Sequence, residues 1–160
     1  MKATEPAADV RIRPATATDC ERVWVWRNDP ETRAASIDTE AIPWEVHEPW
    51  FNETLRRPDR RLYIVVADGE DAGAVRLDVA DAEARVSIHL APEARYRGVG
   101  ALALRAVVAE AFDALGLVRL IGVIRPDNQP SLAAFAKAGF ALREGEDDMV
   151  TAVKSTRDLP

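Results

Sequence analysis

Apolar positions along the chain switch between two spacings, and the switches mark its elements. Val10 and Ile12 alternate with Arg11 and Arg13, the pattern of a short half-buried strand ended by Pro14. Thr18 with Glu21 three residues later is a capping-box signature. The run behind it, Val23 to Trp26, predicts a helix ending near Asn28, before Asp29-Pro30. Residues 29–44 are polar without clear periodicity and read as a connection. A second helix is expected over 48–57, with Pro49 in its first turn, where a missing N–H does no harm. Trp50, Phe51 and Leu55 are its apolar positions, and Arg56-Arg57-Pro58 stops it.

Three strands then follow in a row: Leu62 to Val66, Gly73 to Val79 and Arg85 to Leu90. Turn-forming stretches at Ala67–Asp71 and Asp81–Glu83 join them. Val75, Leu77 and Val79 share one side, and His89 falls on the face opposite Val86, Ile88 and Leu90. Val99 to Leu115 carries Leu102, Leu104, Val107, Val108, Ala111 and Phe112 at helical spacing, with Gly116 as its stop. A strand over Leu117–Ile124, a helix over 129–138, and strands near 140–144 and 148–154 complete the chain. The order β-α-α-β-β-β-α-β-α-β-β interleaves helices with one mixed sheet, an α+β fold. Residues 1–8 read as a disordered tail and 9–156 as a single domain.

Composition narrows the function. A chain of 160 residues supports one substantial core. The formal net charge of −6 argues against nucleic acid as partner, because such binders show a basic stripe. Cys20 is the only cysteine, so no disulfide framework exists within the chain, which fits a reducing compartment. Flanked by Asp19 and Glu21, it reads as a packed, unreactive thiol. Residues 1–9 lack the apolar centre of a secretory signal, and no apolar run reaches the ~18 residues of a membrane span. The expectation is a cytoplasmic protein with no membrane partner and no metal.

Between the third of those strands and the long helix lies Arg95-Tyr96-Arg97-Gly98-Val99-Gly100. A Gly-containing loop entering a helix presents unpaired N–H groups at the positive end of the helix dipole. Gly98 and Gly100 would let a phosphate approach the backbone, and Arg95 and Arg97 add positive charge there. The spacing R-x-x-G-x-G is neither the Walker pattern nor the dinucleotide fingerprint. Six residues alone also admit an ordinary strand-to-helix turn with two solvated arginines.

The loop, with Pro92-Glu93 before it, resembles the pyrophosphate-binding loop of the GNAT acetyltransferase superfamily. Asn128-Gln129-Pro130-Ser131, followed by Phe135-Ala136-Lys137-Ala138-Gly139-Phe140, resembles that family's Asn-initiated helix ending in Gly-Phe. The likeness runs from about Val10 to about Val153. It implies the GNAT fold, a mixed sheet of about seven strands with about four helices, and an N-acetyltransferase using acetyl-CoA. By position, the resemblance sets Ile88, His89 and Leu90 against the pantetheine and acetyl group. It sets Arg95, Tyr96, Arg97, Gly98, Val99, Gly100 and Ala101 around the pyrophosphate. Asn128 and Ser131 would meet the pantetheine arm, Phe135 would lie near the thioester, and Lys137 would either reach a CoA phosphate or be solvated.

Two departures from the family stand out. Many members carry a tyrosine, proposed to protonate the leaving thiolate, where Phe135 stands; many carry a glutamate where Arg85 stands. His89 and His47, the only histidines, are therefore the candidate bases, each weighed against a purely structural role. Trp26-Arg27-Asn28, Ile42, His47 and Trp50-Phe51 are similar to the pattern of one GNAT branch. That branch includes the amino-sugar acetyltransferases of the pseudaminic acid pathway; ribosomal-protein N-terminal acetyltransferases share a looser form. Trp24, Trp26, Trp44 and Trp50 would then include walls of an acceptor pocket, or else be core. The arginines at 56, 57, 60 and 61 would meet a nucleotide diphosphate or be solvated. The expected acceptor is a small amine, first among them a nucleotide-linked amino sugar. A protein or peptide N-terminal amine is the alternative, and a catalytically inactive CoA-binding sensor the third. Family members often dimerise through sheet edges, so the resemblance also admits a homodimer, with the last strand as the candidate edge.

Overall fold

The structure is a computed structural model and describes residues 8–158. Seven strands form one mixed sheet in the order β1-β2-β3-β4-β5-β7-β6. They are β1 (Val10–Pro14), β2 (Arg60–Ala67), β3 (Glu70–Ala80), β4 (Glu83–Leu90), β5 (Arg119–Ile124), β6 (Ala141–Glu144) and β7 (Val150–Ser155). Every neighbouring pair is antiparallel except β4–β5. The helices are α1 (Cys20–Asn28), α2 (Pro30–Ala35), α3 (Trp44–Arg56), α4 (Val99–Ala109) and α5 (Gln129–Lys137). This is the expected α+β architecture. The disordered tail expected over 1–8 lies, Ala8 apart, outside the described residues. Among the described residues no helix is long and apolar enough to cross a membrane.

The sheet separates two cores, and strand alternation decides which side chain enters which. Tyr63, Val65, Val75, Leu77 and Val86 meet Leu104, Val107 and Phe135 of α4 and α5 on one face. Leu62, Ile64 and Ala74 meet Val23, Trp26 and Phe51 of α1 and α3 on the other. Covered on both sides, β2 reads as a continuous apolar run rather than an alternation.

Five local expectations change. The capping pair is Thr16 with Asp19, on the 3-10 turn Ala17–Asp19 that leads into α1, not Thr18 with Glu21. The Thr16 N–H donates to Asp19 Oδ2 at 2.8 Å, and Arg13 holds the same carboxylate through two bonds of 2.9 Å. A helix, α2, interrupts the 29–44 connection; it is only six residues long and buries none of them. Its hold is polar instead, through the Asp29 carboxylate accepting from the N–H groups of Glu31 and Thr32. Helix α3 begins at Trp44, so Pro49 lies inside it. The missing N–H there costs the helix one bond, to the carbonyl of Glu45, an exposed residue. Helix α4 passes at Ala109 into a π-helical turn over Glu110–Ala114. Finally, β7 is interior, paired with both β5 and β6, so the open edges are β1 and β6.

Candidate active site

The parallel pairing of β4 with β5 covers only Glu83–Arg85 against Arg119–Ile121. Beyond it, β4 continues to Leu90 on β3 alone, and β5 continues to Ile124 on β7 alone. The strands part, and the gap opens into a cavity of about 760 Å³. A bulge at Ala72, where the β2–β3 register slips between Val65 and Val66, accompanies the divergence. Gly73 sits directly opposite Leu90; a Cβ there would lie 2.5 Å from the His89 carbonyl oxygen. Only glycine permits β3 to approach β4 so closely at this point.

One lobe of the cavity contains the residues assigned to acetyl-CoA. Ile88, His89, Leu90, Arg95, Tyr96, Gly98, Val99, Gly100, Ala101, Asn128, Ser131, Phe135 and Lys137 all line it. Arg97 does not; it is exposed and lies 3.6 Å from Asp68. Gly98 caps α4 at φ +75°, a left-handed conformation that turns the chain into the helix. Two assignments change in character. Arg95 is not a free cation: it donates to Asp29, Thr32 and Glu31 at 2.6, 2.6 and 2.7 Å, and Tyr96 also reaches Glu31. The glycine loop is thereby bolted to α2. The Asn128 side chain caps α5 through Ser131 N–H and donates to the Ala35 carbonyl, which ties the same stretch to the other side of the cavity. Phe135 is buried, edge-on to Phe140 at 4.9 Å.

The other lobe is polar and lies on the α1–α3 face of the sheet. Arg27, Trp50, Arg76, Arg85, Ser87 and His89 line it, with Glu31, Asp38 and Glu40 from the stretch around α2. The Arg27 guanidinium lies 4.4 Å from the Trp50 ring centroid, and Arg76 lies 5.4 Å from it. Trp50 thus carries two cations against its ring within the cavity wall. Trp24 and Trp44 pack edge-to-face at 5.3 Å, Trp26 is buried, and none of the three lines this cavity. The arginines at 56, 57, 60 and 61 are absent from its walls as well.

The two histidines differ. His47 is completely buried. Its Nε2–H donates to the Cys20 carbonyl at 2.9 Å, which leaves Nδ1 to accept from Arg27 Nη1 at 3.3 Å. Burial, with the nearby Arg27 charge, lowers its pKa despite the Cys20 bond, and it does not line the cavity. His89 does line it, but its Nε2 is sealed from solvent without a hydrogen-bond partner. Burial first, then the charges of Arg27, Arg76 and Arg95, push its pKa down to about 3. Burial and Arg76 likewise lower Arg27 to about 10, so it remains a cation at neutral pH. Cys20 is packed, and burial followed by Glu48 raises its thiol pKa, as expected of an unreactive cysteine.

Sequence reasoning gave no role to Arg76, Ser87, Asp38 or Glu40. Arg76 and Ser87 carried a usable signal, since they are polar positions in opposite phase to Leu77 and Ile88 on strands flanking the site. Asp38 and Glu40 carried none, lying in a stretch without periodicity.

The chain matches the family model described as "Acetyltransferase (GNAT) domain" over residues 9–141. It is 23% identical over 143 residues to the spermidine N(1)-acetyltransferase of Escherichia coli K12, covering 88% of this chain and 76% of that protein. Its fold is similar to that of an aminoglycoside acetyltransferase solved with coenzyme A and kanamycin (TM-score 0.80, 17% identity, 94% of this chain and 96% of that one). It is also similar to that of a Vibrio cholerae spermidine N-acetyltransferase solved with CoA and spermine (TM-score 0.83, 15% identity, 93% and 96%). With the family model spanning most of the chain, and the parted strands and glycine-capped helix in one cavity, this chain belongs to the GNAT acetyltransferases, acyltransferases whose cosubstrate is acetyl-CoA.

Proposed function

We propose that acetyl-CoA lies in the gap between β4 and β5, and that a small primary amine in the polar lobe takes its acetyl group by direct attack. The parting of β4 from β5 after Arg85 carries this reading, because it leaves one side of Ile88–Leu90 without a strand partner. Acetyl-CoA supplies an activated acyl group whose C–S bond breaks as the new C–N bond forms. Ile88, His89 and Leu90 present backbone groups to the pantetheine as an added strand would. A backbone N–H near Leu90 polarises the acyl carbonyl. The N–H groups of Val99, Gly100 and Ala101, at the positive end of α4, hold the pyrophosphate.

Proton handling is assigned to water and carboxylates. An alkylammonium has a pKa near ~10 and must lose a proton before attack. His89, with a pKa of about 3 in the free site, is a poor acceptor for it, and both nitrogens of His47 are engaged. Asp38 and Glu40 line the lobe without an ion pair among the described residues, and they accept the proton through water. Phe135 offers no acid, so the thiolate is protonated from solvent.

The mixed cationic and acidic walls, Arg27 and Arg76 with Asp38 and Glu40, favour a small acceptor over a peptide, which would call for an open, uniformly acid-lined groove. A free, buried Cys20 suits a reducing, cytoplasmic setting. Thiol release from acetyl-CoA, measured across amino sugars and their nucleotides, polyamines, amino acids and short peptides, tests the reading. Acceptor-dependent release is expected. Acetyl-CoA binding without turnover on any amine would instead identify a CoA-binding sensor.

A further inference from the structure

We propose that the acceptor carries its own oxyanion, a carboxylate or phosphate close to the amine, and that Arg27, Arg76 and His89 bind it. The inference rests on the reading of the polar lobe as the acceptor site.

Charge accounting around the cavity points there. Arg95 is neutralised by Asp29 and Glu31, and Arg125 by Asp127, while Arg85 and Lys137 are exposed and need no protein counter-ion. Arg27 has no carboxylate in ion-pair range among the described residues. Its contacts are the neutral His47 ring, the Trp50 face and a second cation, Arg76. Arg76, which lines the lobe, is paired with Asp78 only through Nε, at 3.0 Å, which leaves its terminal N–H groups without a carboxylate among the described residues. A half-buried cation without a counter-ion is costly, and it is retained where a ligand supplies the missing charge.

His89 adds an independent observation. Its sealed Nε2 lacks a partner, although buried polar atoms are nearly always paired. Arg76 and His89 share a sheet face and are diagonal neighbours across β3 and β4, in the register Ala74–His89 and Arg76–Ser87. An oxyanion seated among them would accept from both guanidinium groups and, with a small ring rotation that brings Nε2 to the cavity, from the imidazole N–H.

Position limits the acceptor's size. His89 lies between Ile88 and Leu90, the segment assigned to the thioester, so the oxyanion sits only a few bonds from the attacking amine. A sugar nucleotide, whose diphosphate is far from its amine, fits less well than a small zwitterion. The carboxylates that line the same cavity complete the match. Glu31 is taken by Arg95, but Asp38 and Glu40 face the same cavity and attract the ammonium end. Polyamines and aminoglycosides would set like charge against Arg27 and Arg76.

Calorimetric titration of the enzyme saturated with CoA reads acceptor binding without turnover. The probes are matched pairs: amino acids against their amides, glucosamine 6-phosphate against glucosamine, 2-aminoethylphosphonate against ethanolamine, with spermidine as the polycation. At least one oxyanion-bearing amine is expected to bind roughly 10- to 100-fold more tightly than its neutral partner, the range of one or two charge-assisted bonds. Arg27→Gln and Arg27→Lys both preserve a polar side chain, and the preference should disappear in the first and be weakened in the second, with CoA affinity unchanged. The carboxylate and phosphate arms tell the two oxyanions apart. Equal or tighter binding of the neutral amines or spermidine would overturn the inference, as would failure of every amine to bind while CoA still binds. Failure of CoA itself to bind would overturn the reading beneath it.

Discussion

Arg27 of α1 donates to Nδ1 of His47 of α3 across 3.3 Å, and it does so because the other imidazole nitrogen is already committed to the Cys20 carbonyl. The ring is therefore a fixed neutral acceptor that aims a cation into the polar lobe. Replacing His47 with alanine should lower stability by about 1–3 kcal/mol, through a cavity and a broken buried network. It should also raise the acceptor KM, leave the KM for acetyl-CoA unchanged, and leave the shape of the pH–rate profile intact. Loss of one limb of that profile would instead make His47 the base.

Trp50→Leu keeps an apolar side chain but removes the face under both guanidinium groups. A cation–π contact of about 0.5–2 kcal/mol predicts roughly a 2- to 30-fold rise in acceptor KM. Steady-state kinetics with either substrate varied checks that the effect falls on the acceptor alone.

Arg95 and Arg97 look equivalent in the loop sequence, and the structure separates them. Arg95→Ala should release α2 from the glycine loop, lower the melting temperature and perturb acceptor binding. Arg97→Ala should leave stability and the acetyl-CoA KM within about 2-fold, as for an exposed, weakly paired charge. An equal rise in acetyl-CoA KM for both variants would restore the symmetric, pyrophosphate-binding role that the sequence suggested.

Most of the fold was legible because strands carry their own signal. Val75, Leu77, Val86 and Ile88 announce their face by alternation, and Gly98 and Gly100 mark the entry to α4. Helix α2 left no such trace: none of its residues is buried, and it is held by the Asp29 cap and by Arg95, sixty-odd residues away in sequence. Pro49 misled the start of α3, since a proline reads as a first-turn residue when the aromatic before it is not seen to pack. The site was half legible. Motifs located the lobe proposed for CoA, but the state of His89 depends on arginines from α1, β3 and the glycine loop, which only the tertiary fold brings together.

Stability should fall as the pH drops from about 6.5 toward 4. The folded state holds His89 near a pKa of about 3, while the unfolded imidazole titrates at its ordinary 6.5, so the unfolded chain binds the extra proton throughout that window. His47, also lowered, acts with the same sign. Asp19 and Asp29 add to the loss only below their usual 3.8, because burial opposes their ionisation but Arg13 and Arg95 outweigh it. His89→Gln should flatten the slope of melting temperature against pH between 6.5 and 4. An unchanged slope would contradict the uncharged ring.

Gly73→Ala would place a methyl group against the His89 carbonyl, backbone that cannot swing aside. Overpacking of this kind costs about 1–3 kcal/mol. The variant should fold, with a lowered melting temperature, and lose turnover more than CoA affinity, since the displaced segment is the one proposed to face the thioester.

The most direct test is the ratio of kcat/KM for an oxyanion-bearing amine to that for its neutral counterpart, compared between the wild type and Arg27→Gln. A ratio well above one in the wild type is expected to collapse toward one in the variant, while the acetyl-CoA KM stays constant. A wild-type ratio at or below one, or a ratio that survives the loss of Arg27, would contradict that expectation.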